Sequence, residues 1–449
     1  MIVLFSKKDL RRLLIPLIIE QILAVLVGMA DVVMVSAVGE AAVSGVSLVD
    51  SISTLIIQLL AALSTGGAVV CSQYLGKKDA KNASVAANQL LLSTFLLSVF
   101  IMIVALVGNR SLLALIFGSI EADVMSNAQT YFFLSAVSYP FLAIYDACAA
   151  LYRSMGNSKV SMNTSLCMNA INVVGNALCV YGLHMGVAGV GIPTVVSRAT
   201  AGIIMLVIVR NPEHLIHVDR RLRLGFHPQM IRNILRIGVP AGMENSMFQL
   251  GKILVQSLVS SLGTASIAGF AVANNLVQFE YLPGTAIGLG MVTVIGQCVG
   301  AGEHAQARQY TNYLLKVNYG ILAVLAVLLT ALSTPLVGIY NLSPEASSIA
   351  VALIVVHSFA MIIWPVAFAL PNALRAASDV KFTMVTAVFS MWAFRIGLSY
   401  VLVLGFHLGV MGVWIAMFAD WGFRAVLFFI RYRSGRWLPQ RPQKQAVGQ

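Results

Sequence analysis

Residues Leu13 to Ala37 read LLIPLIIEQILAVLVGMADVVMVSA, an apolar run with two carboxylates inside it. As an α-helix rising ~1.5 Å per residue, its 25 residues reach ~37 Å, more than the ~30 Å hydrocarbon core of a bilayer. The run is a membrane span, and Glu20 and Asp31 lie within it. Eleven residues apart, they differ by three turns plus about 20°, so both fall on one face with Ala24, Gly28 and Met34. That face cannot point at lipid. A lone carboxylate in hydrocarbon costs at least ~2.5 kcal/mol, so such groups turn toward protein or water and mark ion or substrate paths. The plain alternative is a structural acid hydrogen-bonded to a neighbouring helix, a reading that suits Glu20 better because it lies nearer the helix start.

The whole chain follows this pattern. Of 449 residues, 59% are hydrophobic and 10% charged, which excludes an ordinary soluble protein. Apolar runs recur at about Leu13–Ala37, Val46–Leu75, Ala87–Val107, Thr130–Leu151, Val160–Tyr181 and Val187–Val209, with six more to Ile430, giving twelve. The fold class is all-α and polytopic, with twelve transmembrane helices in two pseudo-symmetric six-helix lobes.

The formal charge of +12 is a topology signal rather than a nucleic-acid footprint, because the basic residues sit in alternate gaps. Lys7, Lys8, Arg11 and Arg12 precede the first span, and Lys77, Lys78 and Lys81 follow the second. Arg153 and Lys159 follow the fourth, Arg210, Arg220, Arg221, Arg223, Arg232 and Arg236 surround the gap after the sixth, and Arg308 and Lys316 follow the eighth. Arg375 and Lys381 follow the tenth, and Arg431, Arg433, Arg436, Arg441 and Lys444 the twelfth. The other gaps hold only Arg110. Both termini are thus expected in the cytoplasm, in a plasma (inner) membrane protein with lipid and small molecules, not nucleic acid, as partners. Five cysteines without CxxC spacing imply neither a disulfide framework nor a zinc site. The long first run is not a cleavable signal.

Sliding the sequence by 224 positions aligns Pro16 with Pro240, Glu20 with Glu244, and Gly39-x-Ala41-x-x-x-Gly45 with Gly263-x-Ala265-x-x-x-Gly269. It also aligns Gln73-x-x-Gly76 with Gln297-x-x-Gly300. With a shift of one or two, Arg153, Lys159 and Met162 echo Arg375, Lys381 and Met384, and the Gly182–Val190 segment echoes Gly405–Val413. This is a parallel duplication of six-helix halves. Expected boundaries are 1–209 for the first lobe, 210–236 for a cytoplasmic linker, 237–432 for the second lobe and 433–449 for a basic tail. The linker histidines His214, His217 and His227 read as solvated loop residues. Gly66-Gly67 in the second span, and Gly284, Gly288 and Gly290 after Pro283 in the eighth, mark either bends beside a cleft or close helix packing.

In MNAINVVGNALCVYGLHMGVAGVGIPTVVSRATAG, Asn172 and Asn176 share a helix face and Thr194 adds a hydroxyl. One carboxylate, two amide oxygens and a hydroxyl suit a proton or a hard cation; interhelical hydrogen bonding is the alternative. Glu244 and Asp146 are further intramembrane acids. Lys252, Arg198, Arg395 and Arg424 are intramembrane cations that must be paired or snorkelled, Glu244 with Lys252 being one such pairing. Met34, Met243 and Met247 are candidates for a deformable cleft wall, as is Met29.

The paired halves, Asp31-x-x-Met34 leading to Gly39, the repeated Gln-x-x-Gly, the Arg153-Ser-Met-Gly-Asn-Ser-Lys159 loop and the Asn172 region together resemble the multidrug and toxic compound extrusion (MATE) family over nearly the whole chain. The resemblance implies an antiporter whose two lobes open alternately, expelling organic cations in exchange for H⁺ or Na⁺. It requires no cofactor beyond that coupling ion, and the expected state is a monomer. Asp31, Asn172 and Thr194 match the amino-terminal cation site of the DinF-like branch, while Asn176 stands where that branch has a second carboxylate. The positions of the carboxy-terminal acids of the NorM-like branch fall at Phe248 and Trp364, so coupling is expected to rest on Asp31. The alternative, a flippase for lipid-linked precursors from the same superfamily, calls for a basic cavity, and the four intramembrane cations look dispersed. No HExxH, GxSxG, GxxxxGK or CxxC arrangement supports an enzyme.

Overall fold

The computed structural model describes residues 4–118, 121–218 and 225–439. Arg220, Arg221, Arg223, Arg441 and Lys444 of the charge pattern lie outside the described residues.

The chain is all helical. In order, the helices are α1 (Lys7–Ser36), α2 (Glu40–Gly76), α3 (Ala80–Val107), α4 (Asn109–Phe117), α5 (Ala122–Ser154), α6 (Ser158–Ala177) and α7 (Ala188–Val209). There follow α8 (Pro228–Ser260), α9 (Thr264–Gly300), α10 (His304–Gly338), α11 (Pro344–Ala360), α12 (Leu370–Ala376), α13 (Val380–Ser390) and α14 (Gly409–Arg433). Ten of the described spans are long and apolar enough to cross a membrane, and α11 with α12 forms one more, bent by 69° at Pro365. The 33-residue α8 is long enough to cross but falls outside that count, because Glu244, Asn245, Gln249 and Lys252 make it more polar than the other long helices; the described residues thus give up to eleven spans by length and composition against the twelve expected. The short α4 was not expected. It buries Leu113, and Asn109 at its start donates to the Gln129 carbonyl (3.0 Å).

The duplication is written into the backbone. Thirteen described residues have positive φ, and twelve of them form six pairs 222 to 224 positions apart: 39 with 263, 78 with 302, 118 with 341, 156 with 378, 184 with 407, and 186 with 409. The pairs persist where the residues differ, as in Lys78 (φ 59°) with Gly302 (φ 73°) and Gly156 (φ 77°) with Ser378 (φ 69°). A left-handed residue is costly for anything but glycine, so its recurrence reflects a shared chain path rather than shared composition. Segments of π-helix at Leu178–Gly182 and Val401–Gly405 likewise occupy matching places.

Two compact units emerge, which do not divide at the loops. One comprises Lys7–Cys71 and Ala80–Ser246, the other residues 4–6, Ser72–Asp79 and 247–439. In the first, α5 packs along α3 and α7, and α6 lies between α1 and α7. Apolar area alone does not drive helices together in lipid, so close backbone approach matters. A Cβ at Gly202 would sit 2.7 Å from the Phe141 carbonyl oxygen, and one at Gly66 2.6 Å from that of Ile234. The glycines therefore serve packing. Helices α2 and α9 run unbroken through Gly66-Gly67 and Gly284–Gly290.

In the second unit α9 is the buried axis, against α10, α11 and α12. The repeated Gln-x-x-Gly has a direct explanation here. A Cβ at Gly76 would come within 2.0 Å of the Gln297 carbonyl oxygen, and one at Gly300 within 2.0 Å of that of Gln73. The crossing is reciprocal, each glycine seating the other segment's glutamine backbone. The Gln73 amide in turn donates to the Ala376 carbonyl (2.8 Å).

The linker histidines are less solvated than expected. His214 and His217 are half-buried, with Ile216 and Val218 fully buried beside them, while His227 is exposed. His214 meets the Tyr152 ring edge-on at 5.5 Å, and the His227 backbone N–H donates to Gln89 on α3 (3.2 Å).

Candidate functional site

A cavity of about 290 Å³ lies in the first unit, lined from α1, α2, α5, α6 and α7. Its apolar wall is shared with the core: Val35, Val46, Tyr131 and Val190 belong to a buried cluster that also holds Phe132, Tyr139 and Val180. The polar wall contains Asp31, Asn172 and Thr194, three of the four cation-site residues expected from the sequence. Asn176, the fourth, is fully buried directly behind them.

The hydrogen bonds run in one direction through this group. The Thr194 hydroxyl donates to the Val190 carbonyl (2.9 Å), so its oxygen is free to accept from the Asn172 amide nitrogen (3.0 Å). That turns the Asn172 carbonyl toward Asn176, whose nitrogen donates both to it (3.3 Å) and to the Asp31 carboxylate (2.8 Å). The Asn176 side-chain oxygen is buried and accepts no hydrogen bond from the described residues. The 3.6-residue period of α6 stacks the two asparagines on one face, and a backbone carbonyl on α7 fixes the polarity of the relay. Asp31 thus faces a donor, and an unused acceptor sits on the same amide.

The cavity holds two charges the sequence reading did not assign to it. Asp50, exposed ten residues into α2, pairs with the Tyr131 hydroxyl, and Arg198 on α7 donates to Ser138 (2.7 Å). Tyr139, beside Ser138 on α5, is linked to Ser53 on α2 (2.9 Å). Counted at their formal charges, the lining residues Asp31, Asp50 and Arg198 leave one net negative charge. Asp50 carries the same signal that singled out Asp31, an acid inside an apolar run, and the second run contains it.

Other candidates fall elsewhere. Glu20 is buried in a separate network, accepting from Tyr145 (3.1 Å) and Ser161 (3.1 Å), with Arg153 at 3.9 Å. Its role there is as an interhelical acceptor, not as a lining group of the cavity. Met34 is buried outside the lining, Met243 is exposed, and Met247 and Glu244 are half-buried on α8. The Glu244–Lys252 pairing does not form: among the described residues Lys252 has no carboxylate within ion-pair distance.

The second unit holds acids that the sequence reading passed over. Glu280 on α9 and His357 on α11 meet at 2.7 Å, both buried, with the imidazole edge-on to Trp414 and Trp421. Asp420 on α14 accepts from Arg424 (2.8 Å) and Ser390 (2.5 Å) and lies 3.7 Å from Arg395. Phe248 on α8 lies against Arg395 (5.2 Å) and Arg424 (5.9 Å), and Trp364, between α11 and α12, stacks on Tyr281 and Phe368.

The MatE family matches residues 16–178 and 240–401, two segments whose starts are 224 residues apart. Over 434 residues the chain is 28% identical to the "Uncharacterized transporter YisQ" of Bacillus subtilis (strain 168), covering 94% of this chain and 93% of that protein. It is 26% identical over 458 residues to the "Probable multidrug resistance protein NorM" of Thermotoga maritima, covering 98% and 94%. Among solved structures, one described as the "Outward-facing conformation of a multidrug resistance MATE family transporter of the MOP superfamily" superposes with a TM-score of 0.90 at 19% identity, covering 96% of each chain. A MOP superfamily transporter from Pyrococcus furiosus superposes at 0.89 with 19% identity and 97% coverage of each.

Proposed function

The chain belongs to the MatE family, the multidrug and toxic compound extrusion transporters, and on that footing we propose that it exports organic cations in exchange for protons. The observation that carries this reading is Asp31 in a cavity of one net negative charge, hydrogen-bonded to Asn176. Ionised, Asp31 is the counter-ion for a lipophilic cation. Protonated, it loses that attraction, and the Asn176 amide, rotated to present its unused oxygen, accepts the new O–H. The difference in cation affinity between the ionised and protonated states is what lets one ligand expel the other.

Proton rather than Na⁺ coupling follows from the donor set. Asp31 faces an N–H donor instead of a second carboxylate, and Arg198 adds a positive charge to the same cavity. One proton neutralises the site. A charge moving inward through 100 mV contributes ~2.3 kcal/mol, or roughly 50-fold enrichment per unit charge. The arrangement is that of the DinF-like branch with its second acid replaced. The two repeats, bounded near residues 1–209 and 237–432, alternate in access, with the 210–236 linker, the 433–449 tail and both termini on the cytoplasmic side of the plasma membrane.

The test is efflux of a fluorescent lipophilic cation from proteoliposomes under separately imposed pH and Na⁺ gradients. Wild type is expected to respond to the pH gradient and Asp31→Asn to neither, with the variant still inserted and folded. Unimpaired efflux by Asp31→Asn sinks the assignment, and a response to Na⁺ alone replaces the proton.

A further inference from the structure

Three of the four intramembrane cations, which look dispersed along the sequence, converge on one ring. Lys252 Nζ lies 5.7 Å, Arg395 Cζ 5.2 Å and Arg424 Cζ 5.9 Å from the centroid of Phe248. They come from α8, from the π-helical segment Met391–Leu398 and from α14. Gly251 lies where α8 meets the Met391 side chain, whose terminal methyl would be 2.1 Å from a Cβ at that position, one residue before Lys252. Lengthened helical turns of this kind recur at functional sites, where they re-aim a side chain.

The charges do not balance. Asp420 is shared by Arg424 and Arg395 and is also bonded to Ser390. Lys252 has no carboxylate within reach among the described residues, its ammonium repels the Arg395 guanidinium, and the residue is exposed. Lys252 stands eight residues before the end of α8, ~12 Å along the helix, too deep to be dismissed as an interfacial charge. Beside the cations runs an apolar ladder in which Tyr281 stacks on Trp364 (6.0 Å) and Trp364 on Phe368 (5.3 Å). Gly284 lets Trp364 lie flat on α9, since a Cβ there would sit 2.6 Å from the indole.

We propose that Lys252 and Arg395, with the adjacent aromatic ladder, form a binding site for an amphipathic anion, an anionic headgroup carried on an apolar body. Arg424 is neutralised by Asp420 and holds the geometry. Three cations face one carboxylate, and that excess, centred on Lys252, supplies the attraction while the stacked rings receive the apolar part. A carboxylate-bearing solute and a lipid-borne phosphate share this chemistry. The site lies wholly in the second unit and does not depend on Asp31.

The experiment is calorimetric titration of the purified full chain with 2-naphthoate, with neutral 2-naphthamide as control. Naphthoate is expected to bind at least tenfold tighter than the amide. Lys252→Gln should weaken it at least fivefold and Lys252→Arg less than twofold, while Asp31→Asn leaves it unchanged. Equal binding of acid and amide, or unweakened binding by both Lys252→Gln and Arg395→Gln, overturns the proposal. Repeating the titration in nanodiscs separates the sources. Competition by phosphatidylglycerol that disappears in Lys252→Gln assigns the site to a lipid headgroup, and equal affinity in phosphatidylcholine and phosphatidylglycerol assigns it to a solute.

Discussion

At the scale of single residues, the cavity is governed by a charge difference of one. Asp31 and Asp50 face a single guanidinium, so removing either acid leaves a neutral site. The two are not equivalent, because Asp31 is tied into the Asn176–Asn172–Thr194 relay while Asp50 is exposed and paired with Tyr131. Asp50→Asn should therefore weaken cation binding about tenfold, ~1.4 kcal/mol, the interaction of unit charges ~12 Å apart at an effective dielectric of 20. Coupling should survive, seen in transport assays as a raised KM with pH-driven efflux retained. An unchanged KM would mean that Arg198 alone already neutralises Asp50. The relay was legible in part, since helical periodicity stacks Asn172 on Asn176, while the family resemblance set both with Asp31 and Thr194. The Asp50–Arg198 half was not, because which of several spans lines a cavity is a matter of tertiary packing.

Among the elements, the reciprocal crossing of Gly76 and Gly300 leaves less room for a Cβ than any other described glycine has. Each glycine lies against a peptide carbonyl, and backbone cannot swing aside as the end of a flexible side chain can. Gly76→Ala and Gly300→Ala should each depress the melting temperature of the detergent-solubilised protein by several degrees, at a cost of about 1–3 kcal/mol in overpacking. Gly28→Ala, where a Cβ meets nothing within 4 Å, is the matched control and should melt like wild type. Equal melting of all three would show that the crossing can part without strain. The 224-residue offset exposed these positions as a repeated motif, yet only the structure explains the motif. A Gln-x-x-Gly spacing identifies one helix face but does not name what lies on it. The same limit explains α4 and the Glu280–His357 pair. A nine-residue helix is too short for a span pattern, and a lone His in α11 acquires meaning only when α9 brings an acid to within 2.7 Å of it.

For the molecule as a whole, orientation is set by where the positive charge is left behind. Lys7, Lys8, Arg11 and Arg12 occupy the first turns of α1, where the helix dipole disfavours cations, so local helix energetics do not account for them. The proposed retention of these groups on the cytoplasmic side would. On that proposal the same side would receive Lys77 and Lys78 after α2, Arg153 at the end of α5, Arg375 in α12 and Arg433 at the end of α14, and the opposite side Arg110 in α4. An impermeant maleimide applied to intact cells checks this directly. The background is the Cys167→Ser, Cys179→Ser protein, because Cys167 is exposed and Cys179 partly so, whereas Cys71, Cys148 and Cys298 are buried. In that background Leu183→Cys and Glu345→Cys, at exposed positions after α6 and at the start of α11, should label on intact cells. Lys77→Cys and Arg433→Cys, equally exposed, should label only after the membrane is permeabilised. The reverse pattern would invert the molecule, and Asp31 would then take its proton from the opposite compartment to the one an exporter requires.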